Sequence, residues 1–229
     1  MPKILHNLQI IGSEITQSCA AANRQTNEVQ LLAVSKRHSV EAIREAYAAG
    51  QRAFGENYVQ EMIEKSQLLS DFAIEWHFIG PLQSNKTKEV AMTASWVHTV
   101  DRLKIAHRLN EQRPDNMPAL NVCLQVNVNQ EASKSGVNLD EVEELAKVIA
   151  ALPNLHLRGL MAIPESTADT AKQRANFSLL ADAQAKLNAA DYQLDTLSMG
   201  MSGDMDAAIA EGSTMVRIGT AIFGSRPLV

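Results

Sequence analysis

Short apolar runs alternate with longer amphipathic stretches along almost the whole chain. Eight of these runs have the length of β-strands, and each is followed by a stretch with the spacing of a helix. The predicted strands are LLAV from Leu31, RAF from Arg52, EWHFIG from Glu75, SWVHTV from Ser95, LNVCLQVNV from Leu120, LRGLMAI from Leu157, TLSMG from Thr196 and TMVRIG from Thr214. A further helix is predicted before the first strand, over about residues 3 to 23.

Several of the helices carry end signals. Ser39 is a good N-cap for VEAIREAYAA, and Gly50 suits the position just after that helix. Asn138 precedes LDEVEELAKVIAAL, where Glu141 completes a pattern similar to a capping box. The alanine-rich stretch TAKQRANFSLLADAQAKLNAA predicts a long helix before strand seven.

Eight strand-then-helix units predict a parallel sheet. The 229 residues contain no Pro/Gly/Ser-rich linker and no change of composition, so we expect a single domain over residues 1–229. A doubly wound sheet is less favoured, because no G-x-G-x-x-G follows the first strand. The prediction is therefore an α/β fold, a single (β/α)8 TIM barrel with an extra N-terminal helix.

Charge and cysteine content narrow the classes of partner. The chain has 21 Lys and Arg against 26 Asp and Glu, without a basic run of the kind that binds nucleic acid or an acidic membrane surface. Cys19 and Cys123 are far apart and form no metal-binding pair. The N-terminus lacks the apolar core of a signal peptide, and no stretch has the length of a transmembrane helix. We expect a cytoplasmic protein and no metal site.

Lys36 stands at the end of the first predicted strand, LLAVSK. In a TIM barrel, reactive groups lie at the C-terminal ends of the strands, where the βα loops meet. An amine that is partly removed from water there can attack a carbonyl and form a Schiff base. By itself, Lys36 is better explained as a lysine that reaches solvent at a strand end.

Small residues follow the last two predicted strands. Gly200, Ser202 and Gly203 come after strand seven, and Gly219 and Thr220 after strand eight. TIM barrels commonly bind phosphate with these two loops, through backbone N–H groups and the start of a short helix. Tight βα turns without a ligand would also explain the glycines.

A Schiff-base lysine on strand one and a phosphate site after strands seven and eight are neighbours where the barrel closes. A ligand with an aldehyde and a phosphate on one small ring is pyridoxal 5′-phosphate (PLP), whose sites also provide a group at the pyridine nitrogen. Arg217, on strand eight, is the candidate for that group.

Seven motifs occur in order along nearly the whole chain: VSK at 34–36, FGENYVQE at 54–61, WHFIGPLQSNK at 76–86, SKSG at 133–136, RGLMAIP at 158–164, SMGMSGDM at 198–205 and VRIGTAIFG at 216–224. Through these motifs the chain resembles the pyridoxal phosphate homeostasis protein family. The resemblance implies a barrel like the N-terminal domain of alanine racemase, with PLP held as an internal aldimine.

The resemblance also implies a role for particular residues. Lys36 would form the aldimine and Arg217 would face the pyridine nitrogen. The remaining implied cofactor contacts are Asn57 at the border of the ring, Ser202, Gly219 and Thr220 at the phosphate, and Met199 and Gly200 along the mouth. Lys134 matches a lysine that relatives carry near the site. Many relatives have a second lysine two positions after the aldimine lysine, where this chain has His38.

Two functions of different classes are compatible with such a site. The first is a binding protein that buffers or delivers PLP without turnover, with transient contacts to PLP-dependent apo-enzymes and as a monomer or weak dimer. The second is an amino-acid racemase, which needs an acid/base group on each face of the substrate. In alanine racemase the second group comes from a C-terminal β-domain, and this sequence ends at Val229 soon after strand eight. The binding protein is therefore the favoured prediction.

Overall fold

The computed structural model describes residues 3–129 and 135–225, and eight parallel strands in these residues close into a barrel. Each strand pairs with the next, and β8 pairs with β1. The strands are β1 (Gln30–Val34), β2 (Ala53–Glu56), β3 (Glu75–Phe78), β4 (Trp96–Val100), β5 (Leu120–Gln125), β6 (Leu155–Met161), β7 (Thr196–Ser198) and β8 (Met215–Ile218). The predicted barrel and all eight predicted strands are confirmed.

Helices follow the strands around the outside of the barrel. In the described residues they are α1 (Lys3–Ala21), α2 (Val40–Ala48), α3 (Val59–Leu68), α4 (Thr87–Thr93), α5 (Leu103–Gln112), α6 (Val142–Ala150), α7 (Thr170–Ala189), α8 (Met205–Ala210) and α9 (Thr220–Phe223). The extra N-terminal helix is α1, as predicted. Ser39 caps α2, because its side chain accepts a hydrogen bond from the Ala42 N–H, and Gly50 follows with a φ of 101°.

One predicted helix start is wrong. The sequence pattern begins a helix directly after Asn138, but α6 begins at Val142 and Glu141 occupies the N-cap position. The carboxylate of Glu141 accepts hydrogen bonds from both the backbone N–H and the side-chain amide of Asn138. These bonds close a separate turn over residues 138–141, so the capping pattern stabilises the turn before the helix rather than the helix itself.

Along each strand the side chains alternate between two environments, because successive residues point to opposite faces of the barrel wall. Ala33, Phe54 and Phe78 belong to the large hydrophobic cluster that the strands share with the helices. Two smaller apolar clusters are separate from it, Leu32, Val34, Ala53, Ile79 and Met215 in one and Trp96, Cys123 and Met161 in the other. The barrel is therefore a packed core rather than a pore.

Two further predictions concern the chain as a whole. Among the helices of residues 3–129 and 135–225, none combines the length and the apolar character needed to cross a bilayer. Cys19 and Cys123 are buried free thiols. The assignment of residues 1–229 to a single domain stays a prediction.

Gly159 is the place where β6 approaches β7 most closely. A Cβ at this position would lie 1.7 Å from the carbonyl oxygen of Thr196, the residue that pairs with Gly159 across the two strands. We expect Gly159→Ala to lower the free energy of unfolding by about 3 kcal/mol, since strand backbones have to move apart to admit the methyl group. Urea unfolding followed by circular dichroism measures the loss.

Gly12→Ala is the matched control for that substitution. Gly12 lies within α1, and a Cβ there meets nothing within 4 Å. Alanine is a better helix former than glycine, so this variant should gain up to about 1 kcal/mol. Equal stability of the two variants would contradict the close approach of β6 and β7.

Candidate functional site

Lys36 lies in the turn that follows β1, at the C-terminal mouth of the barrel. Its side chain is half-buried. Ser35, the residue before it, donates its backbone N–H to the carbonyl of Gly55 on β2, 3.0 Å away. Arg37, the residue after it, has a left-handed φ of 61°, which is uncommon for a residue with a Cβ. The turn is therefore held in a specific conformation around the lysine.

A buried ion cluster supports this turn from the side of β2 and α3. Lys65 on α3 donates hydrogen bonds to the Ser35 carbonyl at 2.8 Å, to Glu56 Oε1 at 2.7 Å and to Glu61 Oε1 at 2.7 Å. Ser35 Oγ also donates to Glu56 Oε1 at 2.6 Å, and the Arg37 N–H donates to Glu61. The residues on both sides of Lys36 are thus fixed to one charged cluster.

Glu56 is the most strongly desolvated member of this ion cluster. Burial raises its pKa from the ordinary 4.5 to about 7, and the charge of Lys65 only partly opposes the effect. Its second oxygen, Oε2, is buried and has no hydrogen-bond partner among residues 3–129 and 135–225. The carboxyl therefore changes its charge close to neutral pH.

The other side of the Lys36 turn contacts β8 and α9, the region of the predicted phosphate loop. A Cβ on Gly219 would lie 3.2 Å from the Val34 carbonyl oxygen, so glycine lets the start of α9 approach the end of β1. The ring of His38 stacks on Phe223, with 5.0 Å between centroids. The structure thus places the Lys36 turn directly beside Gly219 and the first turn of α9.

Arg217 lies inside the barrel on β8 and is 5% exposed. Its guanidinium donates through Nη1 to the carbonyl and to the hydroxyl of Ser198, and through Nη2 to the carbonyl of Ala162 at 2.9 Å. Burial lowers the pKa of the guanidinium to about 10, so it stays charged at neutral pH. These bonds use three of its five N–H donors, and the other two have no partner among the residues that the structure describes.

The remaining predicted residues occupy different environments. Asn57 follows β2, and its buried Oδ1 has no partner within residues 3–129 and 135–225. The side chain of Met199 packs in the large hydrophobic cluster, its backbone N–H donates to the Met215 carbonyl at 3.2 Å, and its carbonyl accepts from Ser213 Oγ at 2.7 Å. The carbonyl of Gly200 accepts the Arg217 N–H at 3.0 Å. Ser202 is exposed in the turn before α8. Lys134 lies outside the described residues.

The sequence patterns missed most of the groups that support these residues. Glu56 and Lys65 were not singled out, although a lysine on the apolar face of α3 is a signal that could have found the ion cluster. His77 on β3 and His98 on β4 are both buried and hydrogen-bonded. Neither belongs to a metal site: in the described ranges no three His, Cys, Asp or Glu side chains are grouped to hold an ion.

Comparison with known proteins gives consistent matches over nearly the whole chain. The family model described as alanine racemase, N-terminal domain, matches residues 10–227. The pyridoxal phosphate homeostasis protein of Pseudomonas aeruginosa is 55% identical over 226 residues, which cover 99% of this chain and 97% of that protein. PipY of Synechococcus elongatus PCC7942, solved without PLP, is 38% identical with a TM-score of 0.85, over 96% of this chain and 100% of that chain. The same protein with PLP bound has a TM-score of 0.79 over 92% and 100% of the two chains.

Lys65→Gln removes the cation from the ion cluster and leaves Glu56 buried beside a neutral amide. We expect the free energy of unfolding to fall by about 3 kcal/mol at pH 8, because an uncompensated charge is then buried. Glu56 binds its proton more tightly folded, with a pKa of about 7, than unfolded, so a neutral Glu56 is favoured as pH falls. The loss at pH 5 should therefore be smaller, and urea unfolding at the two pH values measures the difference.

Lys86→Gln serves as the control for this experiment. Lys86 pairs with Glu89 at 3.3 Å, and both side chains are more than a third exposed. An exposed pair contributes less than about 1 kcal/mol, so this variant should unfold nearly like the wild type at both pH values. A loss in Lys65→Gln that is the same at pH 5 and pH 8 would contradict the buried charge of Glu56.

Proposed function

The chain belongs to the pyridoxal phosphate homeostasis protein family, and from this membership we propose that it holds PLP at the mouth of its barrel and takes part in PLP homeostasis. One observation carries the proposal: the turn with Lys36 packs against the start of α9, through Gly219 beside Val34 and His38 on Phe223. An amine and a phosphate-binding helix start are therefore within reach of one small ligand. The PLP-bound structure of PipY supports the same cofactor.

Lys36 is the proposed covalent contact. Its half-buried Nζ would hold PLP through the aldehyde group, because a primary amine and an aldehyde condense with loss of water. The bonds of Ser35 and Arg37 to the ion cluster hold the turn in place while the covalent bond forms or breaks.

The proposed phosphate contacts lie after β8 and β7. The first backbone N–H groups of a helix have no partner inside the helix and attract anions, and in α9 they belong to residues next to Gly219. Thr220 is exposed there and adds a hydroxyl. Ser202, exposed in the turn after β7, is the proposed contact from the neighbouring loop, and Gly200 and Met199 are proposed to line this edge of the mouth.

Arg217 and Asn57 are the proposed contacts to the ring. A guanidinium only donates hydrogen bonds, so the two N–H groups of Arg217 that have no partner in the described residues fit an acceptor such as a pyridine nitrogen. The Oδ1 of Asn57, buried and unpaired within the same residues, fits a donor on the ligand. The donors and acceptors left over at the mouth therefore match the polar atoms of PLP.

We favour buffering or delivery of PLP over racemisation. PLP supplies an electron sink when its ring nitrogen carries a proton, and Arg217, which can only donate, keeps that nitrogen as an acceptor. The names of the curated relatives, which describe homeostasis, support the same choice. Racemase activity is the alternative function. In this proposal the protein acts in the cytoplasm, where the buried thiols of Cys19 and Cys123 stay reduced, and meets apo-enzymes transiently as a monomer or weak dimer.

The first test concerns Lys36. Wild-type protein incubated with PLP should turn yellow, and borohydride should fix the cofactor on the peptide that contains Lys36. Lys36→Ala and Lys36→Arg should lose the absorbance band and the labelled peptide, because neither side chain forms a Schiff base under these conditions. Lys86→Gln, outside the site, should keep both. A wild-type protein without the band, or Lys36→Arg with it, would contradict the proposal.

The second test separates a carrier from a racemase. PLP-loaded protein incubated with L-alanine and separately with D-alanine should not invert either enantiomer beyond one turnover, as measured by chiral chromatography. Transfer of PLP to an apo-enzyme, followed by recovery of that enzyme's activity, should occur in the same preparation. Sustained inversion of alanine would establish the alternative function.

A further inference from the structure

A line of buried hydrogen bonds crosses the barrel interior and ends on Arg217. Arg217 Nη1 donates to Ser198 Oγ at 2.9 Å, and Ser198 Oγ lies 2.8 Å from His98 Nδ1. His98 Nε2 is 2.9 Å from His77 Nδ1, and His77 Nε2 is 2.6 Å from Glu75 Oε1. These bonds connect β8, β7, β4 and β3. We name Glu75, His77, His98 and Ser198 the interior relay.

The direction of every bond in the interior relay follows from Arg217 and Glu75 together. A guanidinium has no acceptor, so the Ser198 hydroxyl accepts from it. An ionised Glu75 can only accept, so with neutral imidazoles between the two ends the Ser198 hydroxyl has to donate its own hydrogen to His98 Nδ1. A neutral His98 then carries its proton on Nε2 and donates to His77 Nδ1. His77 in turn carries its proton on Nε2 and donates to the carboxylate of Glu75. In every bond the donor is therefore on the Arg217 side and the acceptor on the Glu75 side. The positive guanidinium at one end and the negative carboxylate at the other both favour this arrangement.

Burial keeps the two imidazoles neutral and therefore fixes this arrangement. Desolvation lowers the pKa of His77, and it lowers the pKa of His98 well below its ordinary range, helped by the charges of His77 and Arg217. Trp96 stacks on His77, with 5.4 Å between centroids and 8° between planes. The bond with His77 lowers the pKa of Glu75, whose side chain is 41% exposed. The relay thus runs from water to the interior.

A few other titratable groups face the two ends of the interior relay. Arg158 lies near Glu75 and favours its ionised form. Asp204 and Cys123 face Arg217, and each favours the charged guanidinium. Within the described residues none of these three groups is hydrogen-bonded to His77 or His98, so the tautomers of the two imidazoles depend on the relay itself.

We propose that Glu75, His77, His98 and Ser198 are positioning residues that fix the orientation of Arg217 and thereby aim its two remaining N–H donors at the pyridine nitrogen of PLP. The proposal rests on the proposed function for its ligand, but the relay itself is a property of the protein alone. It assigns a role in cofactor recognition to Glu75, which lies at the opposite end of the barrel from the mouth, at the first position of β3.

The first experiment tests the relay without any cofactor. Nitrogen-15 NMR of imidazole-labelled protein, with no PLP added, should show Nδ1 unprotonated and Nε2 protonated in both His77 and His98. The two signals should not change above about pH 7, because burial lowers both pKa values from the ordinary 6.5. The exposed His107 and His156 provide internal reference signals. A protonated Nδ1 in neutral His98, or a doubly protonated His77 in this range, would overturn the relay.

The second experiment tests whether the relay acts through the ring nitrogen. Ser198→Ala cuts the relay at Arg217, and we expect it to bind PLP about tenfold more weakly, the usual effect of one hydrogen bond to a charged group. Its affinity for deazapyridoxal 5′-phosphate, in which C–H replaces the ring nitrogen, should stay within about twofold of the wild type. Equal losses for both ligands would reduce Ser198 to a general structural role and overturn the proposal.

Two further variants test the relay in case Ser198→Ala does not fold. Glu75→Gln changes only the partly exposed end of the relay, and it should weaken PLP binding by about threefold and shift the absorbance band of bound PLP. Glu89→Gln, an exposed carboxylate outside the relay, should do neither. A wild-type protein that binds neither ligand would refute the proposed function while the NMR result on the relay still stands or falls by itself.

Discussion

A charged guanidinium inside the barrel is the constraint on which the rest of the site depends. Moving such a charge out of water is costly unless the protein supplies good hydrogen bonds in return. The carbonyls of Ala162 and Ser198, at the ends of β6 and β7, and the Ser198 hydroxyl supply them to Arg217. The C-terminal ends of β6 and β7 therefore have to lie at the same level of the barrel, so the geometry of this part of the mouth depends on one side chain.

The same side chain explains why polar residues occur in a region that is otherwise packed with apolar ones. Once Ser198 accepts from Arg217, its buried hydroxyl needs an acceptor of its own, because an unpaired buried donor costs more than a typical hydrogen bond contributes. His98 accepts this hydrogen bond and donates to His77, and His77 donates to the partly exposed Glu75. The line of hydrogen bonds is thus the consequence of one buried charge.

Closure of the barrel between β1 and β8 is the second determinant of the site. It brings Lys36 beside Gly219, although 183 residues separate them along the chain. The ion cluster of Glu56 and Lys65 then fixes the Lys36 turn from the other side. Barrel closure positions one end of the site and a buried ion pair the other, so the proposed phosphate contact and the proposed covalent contact are held by different interactions.

The sequence by itself determined the eight strands, the extra helix and the barrel, because apolar runs and their spacing depend on local residue order. It also indicated Lys36, Arg217 and the glycine-rich loops, because these residue types at these positions are typical of PLP-binding sites. Only the folded structure shows the hydrogen-bond partners: Glu141 accepts from Asn138 in a turn before α6, and Lys65 donates to Glu56. Glu56 and Lys65 lie on different elements, and His98 and Ser198 are 100 residues apart. No local pattern specifies which buried polar groups form hydrogen bonds with one another once the strands close.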